Sequence, residues 1–256
     1  MLIITPFSSA IYVYEEGSSS KPRSVCERFV SCLMLLLKNL KFLKIIMKRR
    51  QTSLIQRLLI SHLCLVITSQ ILVPCVFPRF TLIESPVQNL IGTIAVFVPS
   101  TFAIHSKLTI FSVAAWIVGT IVFHFIVVAF GAPVTELAGH TLAWSALQSA
   151  IAVVPPSIGL DSKDKETWFR VFIDFKLRNM NEVALAVTSM SSILGAWLGA
   201  IPIPLDWDEP WQAWPVTLVY GSMFGALLSS TTLYAVTKFE LFDLRRFLDA
   251  SCSRDS

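Results

Sequence analysis

Glu136 and His140 stand four residues apart, the spacing that places two side chains on one face of a helix. With His124 upstream, and Asp206, Asp208 and Glu209 in a later polar stretch, they are the residues whose types could do chemistry. Imidazole and carboxylate groups in such a set could hold a metal ion or pass protons. The spacing is not a zinc signature, however. The simpler assignment has His124 hydrogen-bonded within a helix bundle and Glu136 capping the positive end of the helix that follows it. The chain contains no HExxH, no GxSxG and no GxxxxGK[ST]. No catalytic, metal or cofactor-binding set is expected from these patterns, and no cofactor.

The elements that must position these residues are set by composition. Of 256 residues, 54% are hydrophobic and 15% are charged, against about 25% charged in soluble domains. Six runs lack Asp, Glu, Lys and Arg altogether: 58–77, 87–104, 108–130, 137–158, 183–205 and 215–237. Each has 18 to 23 residues, enough for a helix to cross a hydrocarbon core of about 30 Å. The runs are continuously apolar rather than alternating, which argues against a barrel. The expected fold is all-α, a polytopic membrane protein with six transmembrane helices. Residues 1–57 form an N-terminal extension, 58–237 the membrane domain and 238–256 a C-terminal tail.

Six spans place 20 of the 21 basic residues on one side, with only Arg79 on the other. Positive charge is retained on the cytosolic side, so both termini are expected to be cytosolic. The net charge of +4 then reports topology, and no nucleic-acid partner is expected. Cys26, Cys32, Cys64, Cys75 and Cys252 show neither CxxC nor zinc spacing, and no disulfide is expected. The start, "MLIITPFSSAIYVYEE", lacks the basic opening of a cleaved signal. Between 29 and 48, Lys38, Lys41, Lys44 and Lys48 share one helical face while Leu36, Leu40, Leu43 and Met47 share the other. Such a basic amphipathic helix suits an anionic leaflet. Met47 followed by "KRRQTSLIQRLL" also reads as a start. In the 159–182 loop, Trp168, Phe169, Phe172 and Phe175 suit the headgroup region.

Polar residues inside the spans are His62, Gln70, His124, His140 and Gln148, and no acid or base is among them. The strongest packing signal lies in spans five and six. Ser191, Gly195 and Gly199 recur every four residues, as do Gly221, Gly225 and Ser229. Small-residue stripes let helix backbones approach closely where lipid supplies no hydrophobic drive. Counting inward from the turn pairs Gly199 with Gly221, Gly195 with Gly225 and Ser191 with Ser229. The expected arrangement is an antiparallel hairpin, whose stripes serve packing or a partner interface.

Between those stripes runs "GAWLGAIPIPLDWDEPWQAWP", residues 195–215. Pro202 and Pro204 are expected to end span five, and Pro215 to start span six. Trp197 is expected to face lipid or a partner. Trp207, Trp211 and Trp214 would anchor the turn at headgroup level, and Asp206, Asp208 and Glu209 would keep it in water.

This stretch, together with "FH" at 123–124 and "GAPVTEL" at 131–137 (Gly131, Ala132, Pro133 and Glu136), closely resembles the phosphatidylinositol-glycan biosynthesis class F (PIG-F) family. The resemblance runs from about residue 55 to about residue 240, and the extension to residue 46 departs from it. It implies a multi-pass endoplasmic-reticulum membrane protein of glycosylphosphatidylinositol (GPI) anchor assembly. Members of the family are non-catalytic subunits that bind and stabilise the GPI ethanolamine phosphate transferases. Those enzymes move phosphoethanolamine from phosphatidylethanolamine to mannoses of the anchor precursor. The expected partners are therefore transferase catalytic subunits and membrane lipids. Two alternatives stay open: a membrane lipid transporter, or a membrane-embedded lipid transferase using His124, Glu136 and His140.

Overall fold

The computed structural model describes residues 53–105, 109–160, 165–205 and 207–238. The expected amphipathic segment at 29–48, Cys26, Cys32, Cys252, Asp206 and nearly all of the C-terminal tail lie outside the described residues. Six apolar helices of 20 to 23 residues are present: α1 Leu54–Val76, α2 Pro86–His105, α3 Ile110–Ala129, α4 Ala138–Gly159, α6 Met180–Ala200 and α7 Val216–Lys238. A short amphipathic helix, α5 Lys165–Phe172, precedes α6. No strand occurs among the described residues, and Cys64 and Cys75 are free thiols. The chain is an all-α polytopic membrane protein.

Helix ends differ from the charge-free runs because caps, not charges, terminate helices. Helix α1 begins at Leu54 and takes in Arg57, with Ser53 Oγ accepting from Gln56 N at 3.3 Å. Helix α3 starts at Ile110 behind a capping box between Thr109 and Ser112. Helix α6 starts at Met180, three residues before the run at 183, because Asn179 Oδ1 accepts from Glu182 N at 2.9 Å. It stops at Ala200, and Ile201–Leu205 form turns, so Pro202 and Pro204 lie beyond its end.

Helix α4 is the centre of the bundle, touching α2, α3, α6 and α7, while α7 lies against α1 and α6. In the most apolar window of α4 78% of residues are buried, against 17% for α3, which packs chiefly on α4. Two hydrogen bonds hold α3 there: Trp116 Nε1 donates to Ala146 O at 2.9 Å, and Ser149 Oγ donates to Trp116 O at 2.8 Å.

Prolines in the spans decide further contacts. In α1 the residues Thr68–Leu72 adopt π-helical geometry, so Val73 N reaches Thr68 O. In that register the next donor would be the nitrogen of Pro74, which has no proton. Asn89 of α2 fills the gap: its Nδ2 donates to Ser69 O at 2.9 Å and to Phe80 O at 2.8 Å, and its Oδ1 accepts from Ser69 Oγ at 3.0 Å. In α4 the partner of Ala152 O would be Pro156. Ser189 of α6 donates to that carbonyl instead, at 2.8 Å. No water is available in hydrocarbon to do this, so a neighbouring helix must.

At the end of the bundle formed by α5, Arg170 and Glu182 make a buried two-pronged pair. Guanidinium nitrogens donate to both carboxylate oxygens at 2.8 Å, and Arg170 also donates to Lys176 O. Arg178 N and Asn179 Nδ2 complete the acceptor sites of Glu182 at 2.8 and 3.1 Å. This pairing is how a charged residue fits inside α6. It also changes the reading of the 159–182 loop. Trp168 and Phe172 stack 5.6 Å apart and join a core of Leu58, Leu160, Val171 and Leu185, whereas Phe169 and Phe175 face outward.

Replacing Arg170 or Glu182 alone with Leu is expected to destabilise the bundle by about 3–5 kcal/mol, because the remaining charge stays buried and unpaired. The double replacement is expected to recover much of that loss. Thermal unfolding in detergent of the two single variants and the double variant measures the difference.

Candidate functional site at the small-residue hairpin

Helices α6 and α7 approach until backbone meets backbone. A Cβ added at Gly195 would lie 3.3 Å from Gly225 Cα and 2.9 Å from the carbonyl carbon of Gly221, and closer still to its oxygen. One at Gly221 would lie 3.3 Å from Gly199 Cα, and one at Gly225 2.8 Å from the carbonyl carbon of Ser191. Gly199 faces the backbone of Thr217 and Leu218. Gly195 thus sits between Gly221 and Gly225 rather than squarely opposite one of them. Ser229 is buried, with its hydroxyl donating to Gly225 O at 2.8 Å, so its polarity is satisfied within its own helix.

On its outward side the same seam forms a shallow groove of about 350 Å³. Its floor is Ser191, Gly195 and Gly225, and its rims include Leu194, Phe224 and Leu228, each more than half exposed.

The connection 201–215 closes the hairpin through a residue that the sequence reading passed over. Gln212 Nε2 donates to Pro202 O at 2.7 Å and to Leu205 O at 2.6 Å, while its Oε1 accepts from Glu209 N at 3.1 Å. Both carbonyls also accept backbone bonds within the turn, from Leu205 N at 3.1 Å and Trp207 N at 2.9 Å, so Gln212 is a second donor that cross-links an already closed turn. Trp207 and Trp197 are exposed, and Trp207 lies 5.7 Å from Trp211. Trp214 is different from the headgroup anchor expected for it. It turns inward, 6.4 Å from Trp144, and its Nε1 donates to Thr141 Oγ1 at 3.1 Å. Thr141 Oγ1 in turn donates to Pro133 O at 2.9 Å. This relay joins the 195–215 stretch to "GAPVTEL".

Gly131 ends α3 with φ +96°, in the left-handed region that glycine adopts freely. Gly131 N bonds Val128 O at 2.9 Å and Ala132 N bonds Val127 O at 3.1 Å, which places Ala132 in the core. Pro215 is buried and immediately precedes α7, its carbonyl accepting from Val219 N at 3.1 Å. Asp208, with φ +54°, and Glu209 are exposed in the turn.

Glu136 is exposed, and the α4 N-terminus has no side-chain cap, so the capping assigned to Glu136 is absent. His124 Nδ1 is buried without a hydrogen-bond partner among the described residues, unlike the bonded histidine expected. Among the described residues no three His, Cys, Asp or Glu side chains gather as a metal-holding group. His124, Glu136 and His140 are not assembled into one.

The seam carries a direct test. Gly195→Leu and Gly225→Leu are each expected to cost about 1–3 kcal/mol or more, since the new side chain meets backbone that cannot move aside. Ser229→Ala, which removes one local hydrogen bond, is expected to cost under about 1 kcal/mol. Thermal melts and the yield of monodisperse protein compare the three.

Comparison with known proteins agrees with the motifs joined by this relay. A model of the GPI biosynthesis protein family Pig-F matches residues 29–233, beginning well before residue 55, so part of the N-terminal extension belongs to the family pattern. The GPI ethanolamine phosphate transferase, stabilizing subunit, of Homo sapiens is 43% identical over 103 residues, 40% of this chain and 47% of that protein. The protein of the same name in Mus musculus is 41% identical over 102 residues, 40% of this chain and 46% of that one. Glycosylphosphatidylinositol anchor biosynthesis protein 11 of Yarrowia lipolytica is 40% identical over 102 residues, 39% of this chain and 43% of that one. The chain spans a little under half the length of these relatives. No solved structure matches it. With four-fifths of its length matched, the chain belongs to the PIG-F family of GPI biosynthesis proteins.

Proposed function

We propose that this protein is a non-catalytic subunit that binds and stabilises a GPI ethanolamine phosphate transferase in the endoplasmic-reticulum membrane. The observation that carries the reading is the outward groove along the α6–α7 seam. A floor of Ser191, Gly195 and Gly225 lets another helix approach closely, and exposed Leu194, Phe224 and Leu228 supply side chains to interdigitate with it. The names of the human and mouse relatives, a transferase stabilizing subunit, favour the transferase as the partner. Basic residues confined almost wholly to one side favour cytosolic termini, with the 201–215 turn in the lumen. In that orientation the short connections at the hairpin end leave the chemistry to the partner's own domain.

Deleting the protein is expected to lower the steady-state level of the transferase and to cause anchor precursors lacking phosphoethanolamine to accumulate. His124→Ala, Glu136→Ala and His140→Ala are expected to restore both. A normal transferase level overturns the stabilising role, and failure of these well-expressed variants to rescue overturns the reading in favour of direct catalysis. Phe224→Ala combined with Leu228→Ala is expected to leave the isolated protein as stable as before, since both side chains are exposed, yet to reduce co-purification of the transferase.

A further inference from the structure

The outward face of α7 continues past the seam to a polar pair. Leu228, Phe224 and Tyr220 follow one another at four-residue intervals, so they lie along one face of the helix, and they are 53%, 67% and 39% exposed. Leu228 and Phe224 belong to the rim of the seam groove. Tyr220 stands one turn further toward the 201–215 connection, where its Oη donates to Gln70 Oε1 of α1 at 3.2 Å. Gln70 is exposed as well. The lateral cleft between α3, α4 and α6 is almost wholly apolar, but here polar side chains reach the lipid-facing surface.

The protons of this pair run inward. Asn89 Nδ2 is committed to the carbonyls of Ser69 and Phe80, and its Oδ1 takes the one proton of Ser69 Oγ at 3.0 Å. Ser69 Oγ can then only accept from Gln70. That turns Gln70 Nε2 toward Ser69, at 3.0 Å, and Oε1 toward Tyr220. Tyr220 spends its only proton on Oε1. The pair is left with a phenol oxygen that can only accept and a second amide N–H that can only donate, neither with a partner among the described residues.

Depth restricts what can serve them. Gln70 lies six residues before Val76, the end of α1, and Tyr220 four residues after Val216, the start of α7. At 1.5 Å per residue these are about 9 and 6 Å along the helices. Both helices have 23 residues, or about 34 Å, and overrun a core of about 30 Å by about 2 Å at each end. The pair therefore sits about 4–7 Å inside the hydrocarbon. Acyl chains offer neither donor nor acceptor there, and a lipid ester, which only accepts, gives nothing to the phenol oxygen. A side chain that both donates and accepts satisfies both atoms. We infer that the transferase helix lying along the seam continues across Tyr220 and sets a hydroxyl or carboxamide side chain against the Tyr220–Gln70 pair, donating to Tyr220 Oη and accepting from Gln70 Nε2. The inference rests on the transferase occupying the seam, and it adds the polar contact that fixes the helix's position along it.

The test uses the full-length protein co-expressed with the transferase, carrying a diazirine amino acid at position 228 or at position 71. Ile71 is 60% exposed and adjoins Gln70. Crosslinks to the transferase are expected from both positions. A crosslink from 228 with none from 71 leaves the seam reading standing and overturns this inference; silence at both overturns the two together. Tyr220→Phe and Gln70→Leu are each expected to lower co-purification of the transferase by about threefold to tenfold. Tyr220→Phe keeps the ring and is expected to leave the melting of the isolated protein and the crosslink from 228 in place, which a general loss of structure would not. Undiminished co-purification with Tyr220→Phe overturns the inference. Should Gln70→Leu fail to fold, Tyr220→Phe and the crosslink from 71 decide.

Discussion

Much of this bundle follows from one obligation: in hydrocarbon, a carbonyl that loses its helical donor must find another within the protein. Pro74 frees Ser69 O and Pro156 frees Ala152 O, and the substitutes come from Asn89 on α2 and Ser189 on α6. Interhelical hydrogen bonds in membranes average only about 0.6 kcal/mol, so they add modestly as attractions. Their larger effect is exclusion, because a packing that left these carbonyls bare would cost about 1–3 kcal/mol for each. The prolines therefore select neighbours. They tie α1 to α2 and α4 to α6, while Gln212 adds a second donor to Pro202 O and Leu205 O, which the turn after α6 already bonds through Leu205 N and Trp207 N.

Two closures then set the hairpin that presents the candidate partner surface. At one end, Arg170 and Glu182 neutralise each other inside a shell of Trp168, Phe172 and Leu185, which lets α6 begin three residues earlier than lipid alone would allow. At the other, Trp214, Thr141 and Pro133 form a hydrogen-bonded chain between the turn before α7, α4 and the turn after α3. Between them α6 and α7 touch through glycines, so no side chain separates their backbones. The same residues are small on the outside, which is why a groove runs along the seam. Internal packing and outward docking thus draw on one feature, and a substitution that fills the seam disturbs both.

The two lateral openings divide by chemistry. The hairpin groove has a floor of serine and glycine and suits another helix. The α3–α4–α6 cleft is ringed by aromatic side chains and its lining is almost wholly apolar. Neither brings together acids, bases and nucleophiles in the manner of a catalytic site.

Local chemistry made six helices legible in advance, since a run of about 20 apolar residues has one stable form in lipid, and it made the four-residue glycine spacing visible on α6 and α7. The same reading misplaced Trp214 at a headgroup, gave Glu136 a capping role, took the 168–175 aromatics as one interfacial group and did not single out Gln212, Arg170 or Trp144. These are failures of partner, not of element. Asn89 and Ser69 are 20 residues apart, Ser189 and Ala152 37, Trp214 and Thr141 73. Periodicity says which face of a helix is small or polar, but it carries no record of which distant carbonyl that face will meet. The sequence by itself determined the helices, their small-residue stripes and their charge asymmetry, because these depend on neighbours along the chain. Only the tertiary structure decided which donors reached which orphaned carbonyls, and that Trp144 Nε1 and Gln148 Oε1 found no partner among the described residues, because hydrogen bonds between helices are short-ranged and exist only once the helices are packed.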